Sequence, residues 1–154
     1  MKCIAIDDEP LALKKIIGCI EKTPFLELIK ACHSALEAID ILTSTQVDLV
    51  FVDINMPDLN GLDFVKSLTI QPIIILTTAY SDYAIDGFKV GALDYLLKPY
   101  SYSDFLQSVN KALKQYELIH GVKNVTKEKE EDILFVKSGY KTIRLNINNI
   151  IYIE

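Results

Sequence analysis

Several charged side chains of this chain come directly after short apolar runs, at points where a strand would end. Asp53 closes the run V-D-L-V-F-V-D, Asp7 and Asp8 follow K-C-I-A-I, and Lys98 follows a later run. Parallel strands present their carboxyl ends at one edge of a sheet, where ligands bind in open parallel sheets. We therefore expect these four side chains to lie close together at a binding edge.

The expected cluster has the composition of a site for phosphoryl groups. Crowded carboxylates such as Asp7, Asp8 and Asp53 raise one another's pKa values unless a cation neutralises them. Mg²⁺ suits such a shallow oxygen site, because it is typically held by one or two carboxylates together with phosphate oxygens. Lys98 supplies a cation for phosphoryl oxygens, and Thr78, which ends another apolar run, supplies a hydroxyl. The cluster predicts phosphoryl transfer with Mg²⁺.

Strand and helix patterns alternate along most of the chain. The apolar runs predict strands over residues 2–6, 25–32, 47–53, 73–78 and 93–97. Helical spacing predicts helices over residues 10–21, 34–44, 62–68 and 81–88, and a long helix that begins at 101. This alternation predicts an α/β, doubly wound fold, in which a parallel sheet is covered by helices on both faces.

Composition excludes several classes of protein. The net charge of -5 argues against a nucleic-acid-binding surface on these residues, since phosphate contacts need clustered Lys and Arg. Cys3, Cys19 and Cys32 lack metal-ligand spacing, so we expect reduced thiols in the core. There is no signal-peptide pattern, and no apolar run approaches the roughly 20 residues of a membrane span. We predict a cytoplasmic protein without a membrane segment.

Five motifs of the chain resemble the receiver domain of bacterial two-component response regulators. They occur in order over residues 1 to about 120: Asp7-Asp8, Asp53 with the following I-N-M-P, Gly61, Thr78-Ala79, and Tyr95 with Lys98-Pro99. The resemblance implies a flavodoxin-like, doubly wound five-stranded parallel sheet. It also implies a phosphoacceptor domain that is not an enzyme, apart from its own phosphorylation and dephosphorylation.

The resemblance implies a role for each acidic motif residue. Asp53 would be the phosphoacceptor, receiving the phosphoryl group from a sensor histidine kinase. Asp8 and Asp53 would ligate Mg²⁺ through their side chains, Asn55 through its backbone carbonyl, and Asp7 mainly through water.

The resemblance also implies roles for the remaining motif residues. Lys98 would bind the phosphoryl oxygens, and Pro99 after it would shape the loop through a cis peptide bond. Thr78, with Ala79 beside it, and Tyr95 would form a switch that repacks the surface of the fourth helix, fifth strand and fifth helix. That surface is the usual place for dimerisation, so we expect a homodimer.

The composition changes after residue 120. Residues 121–132 are charged and predict a linker or helix extension, whereas 133–154 alternate with the period of a β-hairpin and a further strand. This last segment resembles the opening strands of the LytTR family of DNA-binding domains. The resemblance implies that DNA is bound only through an output domain whose remainder lies outside this sequence. A short β-ribbon is marginal alone, so we expect it to pair with a second copy.

Two other classes of protein share features with this chain. A haloacid-dehalogenase-like phosphatase also has a strand-terminal aspartate nucleophile, but it needs a second acid two residues later, where this chain has Asn55. A stand-alone receiver that signals only through protein partners is the stronger alternative. The predicted hairpin after residue 132 argues against it.

Overall fold

A computed structural model describes residues 1–127, 133–138 and 141–146 of the chain. Strands and helices alternate through residue 127, as the sequence predicts. A 3₁₀ turn at Ser81–Tyr83 precedes α4. The elements in chain order are β1 (Lys2–Ile6), α1 (Pro10–Glu21), β2 (Glu27–Cys32), α2 (Ala35–Ser44), β3 (Leu49–Asp53), α3 (Gly61–Ser67), β4 (Ile73–Thr78), α4 (Ala84–Lys89), β5 (Asp94–Leu97), α5 (Tyr102–Lys127), β6 (Ile133–Ser138) and β7 (Lys141–Asn146).

The first five strands form one parallel sheet in the order β2-β1-β3-β4-β5. This order confirms the predicted flavodoxin-like, doubly wound fold. The chain moves outward from β1 to β2 and then returns across β1 to β3. Ligands of such sheets bind at this reversal point, beyond the carboxyl ends of the strands. A ligand site is therefore expected at the carboxyl ends of β1 and β3.

The central strand β3 is buried on both faces because each face carries an apolar layer. Val50 and Val52 belong to the layer beneath α2 and α3. Leu49 and Phe51 belong to the layer beneath α1 and α5, where the Phe51 and Phe105 rings stack with centroids 5.3 Å apart. A strand with two apolar faces is held rigidly, so the residue that closes it has a fixed position.

The helix starts predicted from capping residues are confirmed. The Ser34 hydroxyl accepts the Glu37 N–H at the start of α2, and Asn60 Oδ1 accepts a backbone N–H at the start of α3. Before α5, the Ser101 hydroxyl accepts the Asp104 N–H while the Asp104 carboxylate accepts the Ser101 N–H. These bonds satisfy donors that have no partner within the helix.

Several predicted elements differ from the structure by one to three residues at their ends. The second strand begins at Glu27 instead of residue 25, because residues 23–26 form a turn. The Phe25 carbonyl accepts the N-terminal amine at 2.6 Å, and the Leu26 N–H donates to the Thr23 carbonyl at 3.1 Å. The predicted helix over 81–88 begins as the 3₁₀ turn. Secondary-structure propensity does not reveal such local hydrogen bonds.

The C-terminal part divides from the rest of the chain as a compact unit, Leu118–Glu154, after a first unit, Met1–Glu117. Within α5 the helix continues through Lys127, so the first part of the predicted linker or helix extension, 121–132, is helical. β6 and β7 pair in antiparallel fashion, in agreement with the predicted hairpin. The further strand predicted over 150–154 lies outside the described residues.

The three cysteines are buried and free, as predicted. Burial raises the pKa of Cys3 to about 12 and that of Cys32 to about 11, so both remain thiols at neutral pH. In the part of the chain that the structure describes, no helix is both long enough and apolar enough to cross a bilayer.

The close approach of α3 to β3 generates a prediction for Gly61. A Cβ atom at Gly61 would lie 2.2 Å from the Asp53 carbonyl oxygen, and the Gly61 N–H donates to the Ile54 carbonyl at 2.9 Å. We expect Gly61→Ala to lower the free energy of unfolding by about 1–3 kcal/mol, because the backbone must shift. Urea denaturation followed by circular dichroism measures the change.

Gly18→Ala in α1 is the matched control, since a Cβ atom there meets nothing within 4 Å. Alanine is the better helix former by up to about 1 kcal/mol, so this variant should be neutral or more stable. Equal stabilities of the two variants would contradict the steric account of Gly61.

Candidate functional site

The carboxyl ends of β1, β3, β4 and β5 bring the predicted site residues to one edge of the sheet. Asp53 is the last residue of β3 and Thr78 the last residue of β4. Asp7 and Lys98 follow β1 and β5 directly. The Lys98 N–H donates to the Thr78 carbonyl at 2.7 Å, which ties the ends of β4 and β5 together. The predicted convergence is therefore present.

Lys98 lies between two buried carboxylates. Its Nζ atom is 2.7 Å from Asp7 Oδ2 and 2.9 Å from Asp53 Oδ1. The side chain of Lys98 is 20% exposed, whereas those of Asp7 and Asp53 are 5% and 6% exposed. Buried charges are tolerated when they are paired and hydrogen-bonded, so one ammonium group stabilises both acids.

The second oxygen of each acid is also hydrogen-bonded. Asp53 Oδ2 accepts the Asn55 N–H at 2.9 Å, and Asp7 Oδ1 accepts the Glu9 N–H at 3.0 Å. In both cases the carboxylate binds the backbone two residues later, the local turn that Asp favours. These turns orient both carboxylates toward the edge of the sheet.

The pKa values of Asp53 and Lys98 are both raised, but for different reasons. Burial raises the pKa of Asp53 above its ordinary value, and the hydrogen bond and charge of Lys98 offset this only in part. The negative charge of Asp7 adds to the increase. Burial lowers the pKa of Lys98, but its bonds to Asp7 and Asp53 outweigh that effect and raise it. Lys98 is thus held as a cation beside a carboxylate that binds a proton more readily than usual.

Asp7, Asp8 and Asp53 together could hold a metal ion. One carboxylate oxygen from each lies within 4.8 Å of the others, and Asp8 is exposed while the other two are buried. The donor atoms are hard carboxylate oxygens, and the cluster is open to solvent on the side of Asp8. Mg²⁺ prefers such a donor set because it keeps several of its waters. The chemistry of the three acids therefore fits a magnesium ion.

The predicted switch residues form a connected group. The fully buried Thr78 hydroxyl accepts the Asn55 side-chain amide at 3.2 Å and the Tyr80 N–H at 3.1 Å. The Tyr95 hydroxyl donates to the Tyr80 carbonyl. Ala79 lies between Thr78 and Tyr80 and is exposed. The Lys98–Pro99 peptide bond is cis.

Sequence reasoning missed two features around this group. It assigned Asn55 a role only through its backbone, although its side chain bonds to Thr78. It also missed the anchor of β5, where Asp94 accepts the Ser108 hydroxyl at 2.5 Å and Lys111 at 3.0 Å. The sequence did carry a signal for one further bond, from the Tyr80 N–H to the Thr78 hydroxyl. A threonine side chain often bonds to the backbone two residues later, and Tyr80 has that position.

Comparison with known proteins identifies one domain family and several related proteins. The sequence profile of the response regulator receiver domain matches residues 3–110. The chain is 31% identical over 160 residues to the sensory transduction protein LytT of Bacillus cereus, covering 99% of this chain and 65% of that protein. It is 34% identical over 114 residues to the transcriptional regulatory protein LytR of Staphylococcus aureus, covering 72% and 46%. The chain thus spans less than two thirds of these relatives.

Solved structures share the fold of the first unit. The response regulatory domain of protein mrkE from Klebsiella pneumoniae is 30% identical with a TM-score of 0.71, covering 77% of this chain and 99% of that one. A response regulator receiver domain protein from Clostridium thermocellum is 32% identical with a TM-score of 0.67, covering 77% and 98%. With the profile matched from β1 into α5, the chain belongs to the response regulator receiver domain family of two-component systems.

Proposed function

We propose that Asp53 accepts a phosphoryl group from a sensor histidine kinase, with Mg²⁺ held beside it, and that this reaction switches the β4–β5 side of the domain. The observation that carries the proposal is the bridge that Lys98 makes between Asp7 and Asp53 at the carboxyl ends of the neighbouring strands β1 and β3. A buried acid at such an edge, paired to a partly exposed lysine, is suited to bind the negative charge of an incoming phosphoryl group.

In the proposed reaction, a carboxylate oxygen of Asp53 attacks the phosphorus of a phosphohistidine. The new O–P bond forms as the P–N bond breaks, and the imidazole leaves with the bonding electron pair. Both oxygens of Asp53 accept hydrogen bonds before the reaction, from Lys98 and from the Asn55 N–H. Lys98 can therefore follow the negative charge from the carboxylate to the phosphoryl oxygens without leaving the site.

The proposed metal ligands are the carboxylates of Asp8 and Asp53 and the backbone carbonyl of Asn55, with Asp7 acting through water. A bound Mg²⁺ supplies positive charge for the phosphoryl oxygens. Lys98 offsets only part of the charge of the buried pair Asp7 and Asp53, so a cation that also contacts the exposed Asp8 would offset the remainder. This division of charge supports separate tasks for the lysine and the metal.

The proposed output is transcriptional control through a LytTR-type DNA-binding domain, with a homodimer formed after the switch. The match to LytT supports this reading because it covers 99% of the chain, beyond the residues of the receiver profile. A stand-alone receiver acting through protein partners only is the second candidate. The pairing of β6 with β7 favours the first, since a receiver needs no such hairpin. A cytoplasmic location remains a prediction.

The proposal predicts that Asp53→Asn abolishes phosphorylation. Wild-type protein incubated with acetyl phosphate and Mg²⁺ should gain the mass of one phosphoryl group, and the variant should gain none, since an amide oxygen is a poor nucleophile. Intact-protein mass spectrometry measures the gain. Asp58→Asn, in the exposed loop after β3, is the matched control and should be labelled like wild type. Equal labelling of Asp53→Asn would move the acceptor elsewhere.

A second prediction concerns the metal. Asp8→Ala should weaken Mg²⁺ binding on the order of tenfold or more, because it removes a carboxylate ligand. Asn55→Ala should have a much smaller effect, because it leaves the backbone carbonyl in place. Titration calorimetry measures both affinities, and Mg²⁺ should raise the melting temperature of wild type by mass action. Equal losses in the two variants would refute this ligand set.

A third prediction follows from the raised pKa of Asp53. The folded protein binds this proton more tightly than the unfolded chain does. The stabilising contribution of the protonated group is therefore full below the ordinary Asp pKa and is lost as the pH rises through the folded value. Without Mg²⁺ at neutral pH, Asp53→Asn should raise the free energy of unfolding by about 1–2 kcal/mol, because a buried charge is removed.

Urea denaturation of wild type and Asp53→Asn, repeated across the acidic pH range, measures this difference. The advantage of the variant should shrink as the pH falls and the wild-type carboxyl becomes protonated. A variant less stable than wild type at neutral pH would show that the ion pair with Lys98 outweighs the cost of burial.

A further inference from the structure

The side chain of Asn55, in the loop after β3, hydrogen-bonds to Thr78, the last residue of β4. The backbone N–H of Asn55 donates to Asp53 Oδ2 at 2.9 Å, and its side-chain Nδ2 donates to Thr78 Oγ1 at 3.2 Å. One residue therefore binds both the proposed phosphoacceptor and the proposed switch hydroxyl.

The Thr78 hydroxyl is saturated as an acceptor. It is fully buried, and it accepts the Tyr80 N–H at 3.1 Å in addition to the Asn55 amide. A hydroxyl oxygen has two acceptor lone pairs, so both are in use. The Tyr80 carbonyl in turn accepts the Tyr95 hydroxyl. A continuous chain of hydrogen bonds runs from Asn55 through Thr78 and the Tyr80 backbone to the Tyr95 ring.

We propose that Asn55 is a positioning residue whose side-chain amide holds Thr78, and through it Tyr80 and Tyr95, in the arrangement of the unphosphorylated protein. The inference rests on the proposed function, because the bond matters for signalling only if Asp53 gains a phosphoryl group. Phosphoryl oxygens are charged and accept stronger hydrogen bonds than a hydroxyl does. The Asn55 amide then turns to the phosphoryl group and releases Thr78.

The surroundings of Asn55 allow its bond to Thr78 to break and reform. Asn55 is exposed, and it lines an open cleft of about 510 Å³ together with Tyr80, Asp82, Tyr83 and Asp86. That space is many times the volume of a water molecule, so the amide can swing outward and be hydrated. Breaking the bond therefore costs the net strength of one ordinary hydrogen bond and leaves no buried donor unsatisfied.

Amide hydrogen exchange of Tyr80 in the unphosphorylated protein tests the proposal. Asn55→Ala should accelerate exchange of this amide about fivefold, the population change that matches one hydrogen bond of ordinary net strength. Asp58→Ala is the matched control, because it alters an exposed residue of the same loop, and it should leave the rate unchanged. Thr78→Val removes the acceptor, so adding Asn55→Ala to it should produce no further acceleration.

An unchanged Tyr80 rate in Asn55→Ala would overturn the proposal, and so would an equal acceleration in the Thr78→Val background. In NMR spectra, the Tyr80 and Tyr95 amide signals of unphosphorylated Asn55→Ala should move toward their positions in wild type treated with acetyl phosphate and Mg²⁺. Signals that stay at the unphosphorylated wild-type positions would contradict it. If wild type takes no phosphoryl group, the proposed function fails, and the exchange comparison still decides the role of Asn55.

Discussion

The burial of the Asp53 carboxylate beside Lys98 is the interaction on which the rest of the site depends. Asp53 ends a strand that is covered on both faces, so its charge is removed from water at a fixed position. Lys98 compensates this charge and that of Asp7, yet the pKa of Asp53 remains above its ordinary value. The protein thus holds an acid whose negative charge is only partly balanced, and a bound metal cation could balance it further.

The fold supplies this arrangement through the order of its strands. β1 and β3 are neighbours in the sheet, so Asp7 and Asp53 meet, and β5 at the edge brings Lys98 across β4. The close packing of Gly61 against the end of β3 fixes the loop that contains Asn55. Each of these contacts joins an acidic group to a neighbouring element. These contacts are the route by which the proposed switch would carry a change at Asp53 to β4 and β5.

Much of this architecture could be predicted because it follows from short-range patterns. Apolar runs that end on Asp7, Asp53, Thr78 and Lys98 predicted both the sheet and the meeting of these residues at one edge. The sequence does not reveal which oxygen Lys98 approaches or that the Asn55 amide reaches Thr78, because those bonds join loops brought together only by tertiary packing. The turn that delays β2 until Glu27 was missed for a different reason, because the local bond from the Leu26 N–H to the Thr23 carbonyl leaves no trace in the apolar pattern.

Direct chemical identification of the phosphorylated residue tests the central claim. Wild-type protein is incubated with acetyl phosphate and Mg²⁺ and then treated with borohydride, which reduces an aspartyl phosphate to homoserine. Peptide mapping by tandem mass spectrometry locates the reduced residue. The account predicts homoserine at position 53 and unchanged aspartate at positions 7 and 8. Reduction at Asp7 or Asp8, or no reduced residue at all, would contradict it.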